Sequence, residues 1–243
     1  DLHRRRHSFP TRRSSDLLKK ERWNEAIEVY EEMETIGALQ GRGAEYYQKL
    51  GYALQKNKKY AEAIDAYLKA DTLKPDNIWN NRHLAICYRL NRNYQAALSY
   101  YKKVEEATPE DTNVIFHIGS CLAELGQYEE AANYFFKLDF IESNCIKAWR
   151  GIGWCSFISR KYEQAMKYYE KIIEQKPLAI DYMNAGHVAW TMGDIQKAAA
   201  LYGKSITANG NRERFLEMFR KDKEALLKQG IQEEDIPLML DLL

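Results

Sequence analysis

Proline and glycine are scarce in this chain, five and thirteen in 243 residues. Few points therefore interrupt regular structure, and the abundance of Ala, Leu, Glu, Lys and Tyr favours helix. No apolar run approaches the roughly 18–20 residues that a bilayer-spanning helix needs. The four cysteines form neither a CxxC pair nor a Cys/His ligand spacing, which leaves metal and disulfide roles without support. Gly-rich phosphate loops, a nucleophile elbow and an HExxH pair are all missing, so no enzymatic chemistry is indicated. His83 and His117 stand 34 residues apart, too few and too widely spaced for a metal centre. Neither a catalytic residue nor a cofactor is expected.

His7 to Leu17 reads HSFPTRRSSDL, which resembles one reading frame of a sequencing adapter. Residues 1–17 are therefore set aside as a non-native segment, expected to be irregular, with any natural upstream sequence missing. Without them, Lys+Arg falls from 36 to 31 and Asp+Glu from 35 to 33, so the net charge moves from +1 to −2. A mildly acidic chain gives no electrostatic case for nucleic acid.

The strongest signal is self-similarity. Ala63, Ala97, Ala131 and Ala165 recur every 34 residues, and Ala198 follows after 33. Tyr60, Tyr94, Tyr128 and Tyr162 sit three residues before the first four alanines. Tyr67, Tyr101, Phe135, Tyr169 and Tyr202 sit four residues after all five. Gly51, Gly119, Gly153 and Gly186 precede theirs by twelve, while Pro75, Pro109 and Pro177 close three units. Cys87, Cys121 and Cys155 obey the same spacing, which suggests small buried residues.

This pattern resembles the tetratricopeptide repeat (TPR) family over about residues 18–212. The resemblance implies an all-α solenoid of antiparallel helix pairs, wound as a right-handed superhelix. Five full units are expected at 44–77, 78–111, 112–145, 146–178 and 179–212. A partial first unit with Trp23, Ala26 and Tyr30, and a glycine-rich joint, occupy 18–43. The small residue of each first helix and the alanine of the second permit close backbone approach, and the aromatic fills the gap toward the next unit. One helix pair cannot bury its apolar face alone, so stability requires stacking.

Residues 213–229 read as a charged amphipathic helix with Phe215, Phe219 and Leu226 on one stripe, ended by Gly230. A short last helix follows Asp235. This segment, 213–243, is expected to cap the last unit; entry of its apolar side into the groove, or self-association through it, stays open.

In this family the first helices line a concave groove. Register carries that role to Tyr52 in the second unit and to Trp79, Arg82, Ile86 and Arg89 in the third. Phe116 follows in the fourth, Lys147, Arg150, Trp154 and Phe157 in the fifth, and Met183, His187 and Trp190 in the sixth. Aromatics gathered on a surface mark a binding site, and the basic residues between them favour acidic ligands. The expected function is a non-catalytic, cytoplasmic scaffold or adaptor that binds a protein or peptide with hydrophobic and acidic residues. The family's terminal-carboxylate clamp is not reproduced: its places hold Arg82, Ile86, His117, Lys147 and Gly151. Two other settings stay open, the TPR region of a larger enzyme or signalling protein, and an envelope-associated assembly factor.

Overall fold

The computed structural model describes residues 13–36 and 43–243. The described residues are all-α, and they divide into two compact units, those up to Val114 and those of Ile115–Leu243. The first unit contains α1 (residues 13–19), α2 (Trp23–Thr35), α3 (Gly43–Lys56), α4 (Tyr60–Leu73), α5 (Ile78–Leu90) and α6 (Tyr94–Ala107). It ends in the first turn of α7 (Thr112–Glu124). The second unit carries the rest of α7, then α8 (Tyr128–Ile141), α9 (Ile146–Ile158), α10 (Tyr162–Ile173), α11 (Ala179–Thr191), α12 (Ile195–Asn209), α13 (Arg212–Lys228) and α14 (Asp235–Asp241). Within each unit, consecutive helices pack pairwise as a solenoid.

Local chemistry explains where the helices start and reverse. Asn77, Asn93, Asp194 and Asn211 each accept a hydrogen bond from a first-turn backbone N–H, the usual way to satisfy an otherwise unpaired donor. Between the two helices of a pair, one residue adopts a left-handed backbone: Lys58, Arg92, Gly126, Arg160 and Gly193 have φ of 62, 60, 77, 59 and 85°. Glycine at two of these places is free of the Cβ clash that the other three bear.

The repeated small and aromatic residues form the core. Ala63, Ala97, Ala131, Ala165 and Ala198 are completely buried, and Tyr67, Tyr101, Phe135, Tyr169 and Tyr202 nearly so. The ring, more than the alanine, occupies the space left by the first-helix glycine. A Cβ on Gly51 would lie 2.8 Å from the Tyr67 ring, on Gly119 2.9 Å from Phe135, and on Gly186 2.5 Å from Tyr202. The same rings reach forward. Tyr67 stacks on His83 of the next pair, with centroids 5.6 Å apart. Phe135 lies over Gly151 at the equivalent place, where a Cβ would come within 2.5 Å. The cysteines Cys87, Cys121, Cys145 and Cys155 are all buried as free thiols, and burial pushes the Cys87 and Cys155 thiols up to about 12.

One expectation is corrected at the N-terminal end. Residues 13–17 are helical, and Leu17 joins the buried cluster of Ala26, Ile27 and Tyr30. An apolar residue that finds cover on one face of a turn stabilises helix there. Residues 1–12, and most of the glycine-rich joint at 37–42, lie outside the described residues.

Candidate functional site

In the first unit, α3 and α5 present Tyr52, Trp79, Ile86 and Arg89. Trp79, in the first turn of α5, is 43% exposed; Tyr52, Ile86 and Arg89 are half-buried. The Tyr52 and Trp79 rings are 6.3 Å apart, and the His83 ring lies 4.0 Å from Trp79. Lys56 Nζ stands 5.3 Å from the centre of the Tyr52 ring, a favourable cation–π placement.

His83 is held in one orientation. Its Nδ1 lies 2.8 Å from Gln55 Oε1, an oxygen that also accepts from the Tyr67 hydroxyl at 3.0 Å. A carbonyl oxygen only accepts, so Nδ1 carries the proton. Burial, helped by Lys56 and Arg82, lowers the His83 pKa to about 4, so the ring is neutral near pH 7.

The basic residues are less available than their sequence positions suggest. Arg82 pairs with Asp111 at 2.9 Å. That carboxylate also accepts from the N–H groups of Asn113 and Val114. Its burial opposes ionisation, but these hydrogen bonds and Arg82 outweigh that and hold its pKa below the ordinary carboxylate value. Arg89 donates to the Tyr101 hydroxyl at a long 3.4 Å, and no described carboxylate bridges it.

In the second unit, Phe116, Lys147, Arg150 and Trp154 are half-buried. Lys147 Nζ is 3.3 Å from Glu142 and 5.9 Å from the centre of the Phe116 ring. Arg150 donates to both oxygens of Asp181, at 2.7 and 2.8 Å, and Asp181 also accepts from Leu178 N–H at 2.7 Å. With Asp181 fully buried, this charge pair ties α9 to α11 and leaves Arg150 little capacity for a ligand carboxylate.

Four expected groove residues are enclosed, a correction to the register-based reading. Met183 and His187 are 0% exposed, Phe157 1% and Trp190 5%. The Phe219 ring of α13 lies 5.4 Å from His187 and 6.4 Å from Trp190. His187 Nδ1 is 2.8 Å from the Tyr202 hydroxyl, and its Nε2 is 3.5 Å from Asp222 of α13. Helix α13 thus packs on α11 as well as on α12. The stripe of Phe215, Phe219 and Leu226 was legible; its landing place was not.

Tetratricopeptide repeat models match residues 44–77, 89–155, 146–177 and 182–212. The chain belongs to the tetratricopeptide repeat family. No curated protein sequence matches this TPR chain. Among solved structures, a tetratricopeptide repeat protein from Parabacteroides merdae is 19% identical, covers 97% of this chain and 98% of that one, and has a TM-score of 0.67. YrrB, described as a TPR protein with an unusual peptide-binding site, is 20% identical over 76% of this chain and 97% of its own, with a TM-score of 0.62. MamA from Desulfovibrio magneticus is 19% identical over 69% and 93%, also at 0.62. At such identities the likeness is one of fold. Among the described residues, no helix of the TPR chain is long and apolar enough to cross a membrane.

Proposed function

We propose that this protein is a non-catalytic interaction scaffold and that the first unit holds a peptide or helix against Tyr52, Trp79, Ile86 and Arg89. The observation that carries this reading is Trp79, a tryptophan 43% exposed beside a second aromatic ring. A large exposed ring costs solvation unless a partner covers it, and Trp and Arg dominate binding energetics where they occur together. Arg89 and Lys56 supply the positive charge, which favours an acidic residue next to the ligand's hydrophobic anchor. Arg82 and Arg150, held by Asp111 and Asp181, position helices and are not assigned to the ligand. YrrB, a protein of the same fold, is described as having an unusual peptide-binding site.

A random peptide library displayed on phage and selected on the full chain tests the reading. Enriched peptides are expected to carry aromatic or aliphatic residues beside Asp or Glu. Their affinity should fall at least ten-fold, about 1.4 kcal/mol, on the Trp79→Ala/Arg89→Glu variant. Failure to enrich any sequence, or equal binding to the variant, would overturn it.

A further inference from the structure

Register-equivalent helix faces in the two units are not equally open. At the three positions that face inward, Gln48, Tyr52 and Gln55 are half-buried in α3, and Arg82, Ile86 and Arg89 in α5. The same register in α11 places Met183, His187 and Trp190, all enclosed. The covering element is α13. A helix that merely continued the stack would meet only the pair before it. Instead, the end of α13 reaches the turn between α9 and α10, two pairs back. Gln229 donates to the Ile158 carbonyl at 3.2 Å and accepts from the Tyr162 hydroxyl at 2.9 Å, while Arg160 donates to the Lys228 carbonyl at 3.0 Å. The helix therefore lies against α11 and reaches the C-terminal end of α9, a surface that a bound ligand helix would also take.

Helix α13 is held through a narrow apolar face, with as few buried residues as α8 and far fewer than the α11 beneath it. It buries three side chains, Phe215, Phe219 and Leu226, whereas α11 buries eight residues of thirteen. With Asp222 those three lie at spacings of four, three and four, so all four share one face. Gly210, with φ of 80°, separates α13 from α12. A helix held through so few apolar contacts opens more readily than the core beneath it.

We propose that the surface of α11 and the C-terminal end of α9 is a helix-binding site, occupied here by the chain's own α13, and that a partner's amphipathic helix with two aromatics four residues apart and a carboxylate three residues further on competes for it. The aromatics would take the places of Phe215 and Phe219, and the carboxylate that of Asp222 beside His187 Nε2. The proposal stands apart from the reading of the first unit, which uses α3 and α5. Tethering gives α13 an effective concentration on the order of millimolar, so a free helix binds the intact chain weakly.

The test uses a fluorescent synthetic peptide of residues 211–230 and full-length protein, read by anisotropy. The Phe215→Ala/Phe219→Ala chain is expected to bind the peptide at least ten-fold tighter than the unaltered chain, and adding Trp190→Ala should abolish that binding. Amide hydrogen exchange of the unaltered chain is expected to show α13 opening before α11. A folded double variant that does not bind the peptide overturns the proposal. So does loss of the fold in that variant, or exchange of α13 in step with α11, because either makes α13 part of the core.

Discussion

Arg150 in α9 and Asp181 in α11 meet through two parallel hydrogen bonds of 2.7 and 2.8 Å, with the carboxylate fully buried. The two residues are 31 apart in sequence and join successive helix pairs. Such a fork is geometrically specific, and removing the arginine strands the buried Asp181 carboxylate without its partner.

The Arg150→Ala chain is accordingly expected to lose about 3 kcal/mol of stability by urea denaturation. The Arg150→Met/Asp181→Leu chain should recover most of that loss, because an apolar pair leaves no buried charge unpaired. A single variant as stable as the parent would show that the pair contributes nothing to joining α9 to α11.

The glycine–aromatic packing predicts an order of effects. A Cβ at Gly186 would meet the Tyr202 ring at 2.5 Å, and one at Gly153 would meet Tyr169 at 3.0 Å. Gly186→Ala should therefore cost more than Gly153→Ala, toward the upper end of the roughly 1–3 kcal/mol typical of overpacking. Gly153→Leu should cost more than Gly153→Ala. Thermal melts of the three chains check the order, and equal melting temperatures would refute the contact.

His83 gives a pH dependence with a definite sign. Its folded pKa, about 4, lies below the ordinary value of 6.5, so the unfolded chain binds the proton more readily. The contribution to stability is complete above pH 6.5 and is lost as pH falls toward 4. Melting temperature measured against pH should drop more steeply over that interval for the parent than for His83→Gln. Parallel curves would mean that the ring is not buried as described.

The period of 34 residues made the pairing of Ala63 with Tyr67 and its four counterparts legible, because small and aromatic residues must recur wherever the same two helices touch. The glycine–ring contact was one step further, since the sequence shows that Gly51 is small but not which side chain fills its space. The pairing of Arg82 and Arg150 was hidden: their partners, Asp111 and Asp181, sit at the start of the next pair, where an acidic residue reads first as a helix cap. The landing place of α13 was hidden more deeply. Its amphipathic stripe says that it must cover something, but contact between Gln229 and Ile158 spans 71 residues and has no counterpart in the repeat. His187 and Trp190 were thus assigned to the groove by register and enclosed by an element outside the register.

Photo-crosslinking shows whether partners bind along the first helices of the pairs. A benzoylphenylalanine at Ile86, on α5, and another at exposed Ser99, on α6, would each be irradiated with a library-selected peptide. Adducts are expected from position 86, with none above background from position 99. Adducts from position 99 alone would contradict binding along the first helices.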